Sequence, residues 1–255
     1  MISRAAVCPG APLLIPGVAN GLSAQLPELV DACDQAVGTL HAADRLLLLC
    51  SGPRTRDEGS GTRRVSVVHP AGSRLSSALI TGTSRPAHFT GRLAKSLTAE
   101  VPAGSPAGVG VVVGAALLAR AGITVPVVAV ELAERTGEVT RVLDEALASA
   151  DRVGLLVVAE GSASRGAQSP GGGSADAELL DASLAAALAT GDPAALGLAV
   201  AVDDAAAARL QFTAGPALLA LSELAASRPP DHAELLLDQA PLGVGYLVAA
   251  WSWAG

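Results

Sequence analysis

The chain has 255 residues, 50 % hydrophobic and only 2 % aromatic, so a sizeable core is available but must be built from Val, Leu and Ala. The formal charge of −7 leaves no basic footprint for nucleic acid. A mean hydropathy of +0.45 raises the question of a membrane, but the longest apolar run, Ala107–Ala119, breaks at Arg120, short of the roughly 20 residues a spanning helix needs.

Ile2–Cys8 is a strand candidate that stops at Pro9-Gly10-Ala11-Pro12. With one Arg and these breakers inside its apolar part, Met1–Pro16 makes a poor signal peptide, and a cytoplasmic protein is expected. A helix follows over about Ser23–Leu40. Leu26, Leu29, Val30, Cys33, Val37 and Leu40 share one face, and Pro27 falls in the first turn. Within Arg45–Ser51 the unbroken run Leu46–Cys50 is closed by Ser51-Gly52-Pro53, the mark of a strand buried on both faces of a parallel sheet. The three elements form a β-α-β unit with a right-handed crossover.

Arg63–His69 alternates enough for a strand with one exposed face, Pro70–Pro86 is a polar loop, and Phe89–Glu100 is a helix candidate. The Gly-rich stretch Gly108–Gly122 reads as a tightly packed helix and Val125–Glu131 as a second buried strand. Thr136 caps a helix to Ala150. Arg152–Ala159 is a third buried strand, opening into Glu160-Gly161-Ser162-Ala163-Ser164-Arg165 and a loop through Gly173. Helices follow at about Ala175–Ala189, stopped by Gly191, and Ala205–Ala226, with a break at Pro216. Ala233–Asp238 and Gly243–Ala250 close the chain as strands. No fixed-period repeat is visible. The expectation is an α/β fold: one three-layer domain over residues 1–255 with a largely parallel central sheet.

Ligands of open α/β sheets bind in the crevice outside the carboxyl ends of the strands. Ser51, Arg54 and Arg56 make one such edge polar and positive, suited to a carboxylate or phosphate, or simply a solvated loop. Glu160, at the end of a buried strand, reads as a base or ligand, or with Arg165 as an ion pair that orders the loop. Gly108-x-Gly110-x-x-x-Gly114 lacks the dinucleotide spacing and follows no strand, so close helix packing explains it better. No phosphate-cradling Gly-Lys-Ser/Thr occurs, and Glu160-Gly161-Ser162 lacks the second Gly of a nucleophile elbow. Cys8, Cys33 and Cys50 suit reduced core thiols. Of the four histidines, His41 ends a helix and His232 lies in a Pro-rich surface turn, whereas His69 ends a strand and His88 precedes a helix, so these two either face a cleft or, as lone loop histidines more often are, are simply solvated.

Four segments resemble class III extradiol ring-cleavage dioxygenase catalytic subunits and their Memo-like relatives. Cys8-Pro9-Gly10-Ala11-Pro12-Leu13-Leu14-Ile15-Pro16 resembles their opening, where a strand runs into Pro-His-x-Pro. Leu48-Leu49-Cys50-Ser51-Gly52-Pro53 resembles the second strand with its Ser-Pro-His-like turn. Val158-Ala159-Glu160-Gly161-Ser162-Ala163-Ser164-Arg165 resembles a later strand ending in Ser-Gly-Asp-x-Ser-His. Ala240-Pro241-Leu242-Gly243-Val244-Gly245-Tyr246-Leu247-Val248-Ala249 resembles the closing strand of the Memo-like relatives. The segments keep the family's order, and the Ala/Gly-rich composition is similar to the actinobacterial branch of these catalytic subunits. The resemblance implies the fold of the extradiol dioxygenase catalytic subunit, and in the family it implies Fe(II) held by two His and a carboxylate. Here the ligand positions read Gly10 and Gly52 or Pro53, the acid/base His reads Arg165, and the late Cys-Gly reads Ala214-Gly215.

Two readings follow. In the first the scaffold has lost its iron site and needs no cofactor. Its cleft, lined by Gly10, Ser51, Arg54, Glu160, Ser162 and Arg165, binds a small polar or anionic molecule or a partner. In the second a relocated metal site, His69, His88 and Glu160 around Fe(II), supports a ring-cleaving oxygenase, because these groups flank the same expected edge. A hydrolase at Ser162 lacks a positioned base. The resemblance also implies assembly, as a homodimer or with a small partner.

Overall fold

Four uninterrupted aliphatic runs set the centre of the molecule. In the computed structural model the strands are Ile2–Cys8 (β1), Arg45–Ser51 (β2), Arg63–His69 (β3), Thr98–Ala99 (β4), Val127–Leu132 (β5), Val153–Val158 (β6), His232–Gln239 (β7) and Tyr246–Ser252 (β8). They form one sheet of 8 strands in the order β4-β3-β5-β2-β6-β1-β8-β7. The inner four, β5-β2-β6-β1, run parallel; β8 and β3 flank them antiparallel. The structure describes residues 1–16, 18, 26–52, 108–132, 148, 150–167, 169 and 172–254, together with the backbone of 63–69 and 98–99.

Side chains of successive strand residues point to opposite faces, and both faces here are covered. Ala6 and Cys8, Leu46, Leu48 and Cys50, Val127 and Ala129, and Leu156 and Val158 face the front, against helices α1 (Pro27–Gly38) and α2 (Val109–Arg120). Ala5 and Val7, Leu47 and Leu49, Val128 and Val130, and Leu155 and Val157 face the back. There they meet α3 (Ala175–Thr190), α4 (Pro193–Ala199) and α6 (Gly215–Ala226), with α5 (Asp204–Arg209) leading into the buried Leu210 and Phe212. The arrangement is an α/β fold, and no helix of the described residues is long and apolar enough to cross a membrane.

The strands at Ile2–Cys8, Arg45–Ser51 and Arg63–His69 have the bounds expected from the sequence. Pro27 opens α1 and Gly191 ends α3 in the left-handed region at φ 66°. Other expectations are corrected. Thr98–Ala99 pairs with the end of β3 as a strand, within the stretch expected to be helical. The expected last helix is two helices, and the break lies before Pro216, around Gln211 at φ 48°. Pro216 sits in the first turn of α6, where its missing N–H costs nothing. α4 is an addition to the expected elements. Asp192 caps it, accepting from the Ala194 and Ala195 N–H groups at 2.9 and 3.1 Å. His232 begins a strand rather than sitting in a turn. The loop expected at Pro70–Pro86, the rest of the helix expected at Phe89–Glu100, and the body of the one from Thr136 lie outside the described residues.

The glycines of α2 are packing devices, as their spacing suggests. A Cβ on Gly110 would come within 2.7 Å of the Cys50 Cβ. One on Gly114 would overlap Leu48 and lie 3.1 Å from the Val158 Cγ2. A side chain there must push α2 off the sheet. Gly114→Val is expected to destabilise the fold by about 1–3 kcal/mol, read as a lower urea midpoint at unchanged slope; an unchanged midpoint would refute this packing.

Candidate functional site

The carboxyl edge of the parallel strands holds most of the buried polar groups, and strand alternation sorts them between the faces. Glu160 lies two residues past the end of β6, so it continues the front row Leu156–Val158. Gly10 likewise continues the front row Ala6–Cys8 of β1. Glu160 Oε2 accepts the Gly10 N–H at 2.7 Å. A Cβ added at Gly10 would come 2.8 Å from that same oxygen. No other described residue bonds the carboxyl group. Burial raises the Glu160 pKa above its ordinary value, against the opposing pull of the Gly10 N–H.

Two further front-row residues flank this pair. In the β1–β8 ladder Val7 pairs with Ala249, and continuing the count brings Tyr246 level with Gly10. Tyr246 is buried in the front cluster, and burial first, then the Glu160 charge, raises its phenol pKa. On β5, Glu131 continues the row Val127–Ala129. It is 2 % exposed and accepts the Gly108 N–H at 2.7 Å, at the entry to α2.

The next residues along the chain serve the back face. Asp181 of α3 is fully buried. Its Oδ1 accepts the Ser162 N–H at 2.8 Å, and its Oδ2 lies 3.8 Å from an Arg165 nitrogen with no hydrogen-bond partner. The carboxylate packs directly on Gly161 and Gly245, where a Cβ would collide with it. Gly161 and Ser162 are tied to Gly245 by backbone bonds of 2.7 and 2.9 Å. Arg165 also pairs with Asp238 of β7. Burial outweighs the Ser162 N–H and Arg165, and pushes the Asp181 pKa up to about 6.

Of the six residues expected to line one cleft, the five that the structure describes do not share one face. Gly10 and Glu160 meet at the front. Ser51 faces back, where its Oγ accepts the Ala217 N–H at 3.4 Å and helps cap α6, whose own N-cap, Ala214, offers no side-chain acceptor. Ser162 is buried, its hydroxyl donating to the Leu210 carbonyl. Arg165 forms ion pairs, as one of its readings expects, though with Asp181 and Asp238 rather than Glu160. Arg54 lies outside the described residues.

The relocated metal site is corrected by strand direction. β3 runs antiparallel to β5, with Arg63 opposite Glu131 and Val68 opposite Val127. His69 therefore ends at the amino edge of the parallel strands. Leu46 pairs with both Val127 and Gly154, and Glu160 lies six residues beyond Gly154. His69 and Glu160 are thus separated by about seven strand rises of ~3.3 Å, roughly 23 Å. His88 lies outside the described residues. The residues present do not fit the iron of the resembling enzymes either. Gly10 and Gly52 offer no side-chain donor, and among the described residues no three His, Cys, Asp or Glu side chains come together. The neighbouring thiols are poor ligands: the hydrogen bond with Cys33 and burial raise the Cys8 pKa, and burial raises that of Cys50.

Asp181 and Tyr246 escape a sequence reading of the site. Asp181 has a signal: it interrupts the apolar stripe Ala177, Leu180, Leu184, Leu188 of a helix, and a carboxylate on a buried stripe needs a polar partner. Tyr246 is the chain's one tyrosine, and in the sequence it reads only as part of a strand.

Asp181 gives the fold a pH dependence of definite sign. Its folded pKa of about 6 stands above the ordinary value of 3.8, so between these values the folded chain binds a proton that the unfolded chain releases. Stability therefore falls as pH rises through that window, by on the order of 3 kcal/mol for this group. Asp181→Asn is expected to remove this component and to gain relative to the parent between pH 4 and 7. Parallel pH–stability curves for the two proteins would refute the assignment.

No family model matches the chain, and no curated protein matches it.

Proposed function

We propose that this chain is a metal-free binding protein on the scaffold of an extradiol dioxygenase catalytic subunit, and that Glu160 anchors a small polar molecule in the front crevice. The observation that carries the reading is the seating of Glu160 against Gly10. Its Oε2 occupies the space into which any side chain at position 10 would project, and the N–H of Gly10 fixes it there. The position that would supply an imidazole on that scaffold is thus filled by a carboxyl group whose other oxygen no described residue bonds. The four segments that carry the resemblance also support the reading. They belong to β1, β2, β6 and the β7–β8 pair, and β2-β6-β1-β8 are consecutive neighbours in the sheet.

The local charge favours a ligand with hydrogen-bond donors over an anion. Glu160 and Glu131 lie on this face, while Arg165 is held by Asp181 and Asp238. Among the described residues no nucleophile stands beside a base: the Ser162 hydroxyl is spent on a carbonyl, and Cys8, Cys33 and Cys50 are buried. Three free thiols suit a reducing, cytoplasmic setting.

Protein purified without chelator is expected to hold far less than one equivalent of iron or zinc by elemental analysis. One tightly bound equivalent would overturn the reading. A residue kept for binding is not needed for folding, so Glu160→Gln should leave the thermal midpoint at neutral pH unchanged or higher, because it relieves a buried charge. A loss of several degrees would make Glu160 a structural residue instead.

A further inference from the structure

We propose that the amino edge of the sheet carries a separate binding site, where Arg4 grips the carboxylate of a small molecule whose single ring or short apolar body fills an adjoining cavity. The site lies at the opposite end of the parallel strands from Glu160, and the inference does not depend on the reading of that residue.

The first ground is the cavity. A space of about 170 Å³ opens between the start of β1, the residues after α1, the turn before β6 and the end of β8. Ile2, Ala42 and Trp253 give it apolar walls, and Arg4, Asp151 and Arg152 polar ones. An apolar cavity of ~150 Å³ holds benzene, so one ring carrying a charged group matches this volume.

The second ground is the state of Arg4. Most described arginines meet an aspartate, as Arg120, Arg152, Arg165, Arg209 and Arg228 do. Arg4 is held by carbonyls instead. Its Nη1 donates to the Ser3 and Trp253 oxygens at 2.8 and 3.3 Å, and among the described residues no carboxylate pairs with it. Those two bonds fix the half-buried guanidinium among the residues of the cavity. Nε and Nη2 bond no described residue, and neither is sealed among buried atoms. Together they form an edge of the guanidinium that holds a carboxylate by two parallel hydrogen bonds.

The backbone is irregular at the same place. β1 shifts its register against β6 between Ile2 and Arg4. Ile2 packs with the back cluster, while Arg4 continues the front row of Ala6 and Cys8. A bulge of this kind re-aims a side chain beside a site.

The class of ligand follows from the neighbouring charges. Arg152 is engaged by Asp44 at 2.8 and 3.2 Å, and the exposed Asp151 stands beside it. Arg4 is therefore the side chain left with donors for a ligand. One guanidinium edge and apolar walls suit a flat, singly charged carboxylate. Inorganic phosphate carries more charge and would lose water against those walls without further donors.

The test is a titration of the full chain with benzoate, followed in ¹⁵N-labelled protein through the Nε–H signal of Arg4 and the indole signal of Trp253. Both signals should shift saturably. Benzamide, of the same shape without the charge, should bind at least about tenfold more weakly, and phosphate should give no saturable shift in the same range. Arg4→Gln keeps a donor for the carbonyls but removes the paired N–H edge, and should weaken benzoate binding about tenfold or more, read at Trp253. Ala42→Leu leaves Arg4 in place and fills the cavity. It should abolish binding while its thermal midpoint stays close to that of the parent. Equal affinity for benzoate and benzamide, or unchanged binding in Arg4→Gln, overturns the role of Arg4. Unchanged binding in Ala42→Leu overturns the cavity as the site. Phosphate binding as tight as that of benzoate overturns the ligand class, and no saturable shift with benzoate up to about 10 mM overturns the whole proposal.

Discussion

The strict alternation of four parallel strands, each buried on both faces, governs everything at the polar edge. A strand covered by helices front and back has no solvent face to absorb a misplaced residue, so every step along it commits a side chain to one layer or the other. Cys50 and Ser51 are neighbours in sequence, yet the first packs under Gly110 of α2 while the second faces the N-terminus of α6. Glu160 and Gly161 divide the same way, one toward Gly10 and the other against Asp181. A carboxyl edge that looks like one polar cluster in the sequence is two separate sites in the fold.

The acidic residues along this edge show how environment sorts one functional group into different tasks. Glu131 accepts the N–H of Gly108 and steadies the entry to α2. Asp181 clamps two loops. Asp44 makes a useful contrast with it, since both carboxylates face an arginine. Asp44 is exposed and hydrogen-bonded to Arg152 at 2.8 and 3.2 Å, and that bond lowers its pKa. Asp181 lies 3.8 Å from Arg165 and its pKa rises, so loss of water outweighs the cation. The clamp therefore serves shape more than stability: it fixes the β6–α3 loop against the β7–β8 turn at an energetic cost. Glu160, like Asp181, keeps one oxygen that no described residue bonds, but its unbonded oxygen is not sealed among buried atoms as Asp181 Oδ2 is.

The fold is largely legible in the sequence, because its signals are local and strong. An unbroken aliphatic run such as Leu46–Cys50 closed by Ser-Gly-Pro admits few readings, and Gly191 ends α3 where glycine is expected to. The misses have equally local causes. Pro216 reads as a breaker inside a long helix, whereas proline in a first turn opens one, and the pair Asp192-Pro193 carries the start signal for α4. The site is legible only in part. Glu160 and Gly10 both stand out in the sequence, but their bond depends on strand neighbours about 150 positions apart in the chain. The grouping of His69 with Glu160 fails because an antiparallel flanking strand ends at the opposite edge from the parallel ones. Nothing in the residues of β3 announces their direction.

The contact between Gly10 and Glu160 also sets what position 10 can hold. With any larger residue at position 10, a side chain would project into the Glu160 carboxyl group and drive it out of its seat. With glycine, the backbone N–H is exposed to the carboxyl group, and the space above Cα receives it. Any side chain at position 10, an imidazole included, and the present Glu160 conformation therefore exclude one another. The absence of a side chain leaves room for Glu160 to turn onto the Gly10 N–H, where one of its oxygens is held and the other is bonded by no described residue. The carboxyl group tolerates partial burial there because the Gly10 N–H supplies part of the polarity that water would otherwise provide.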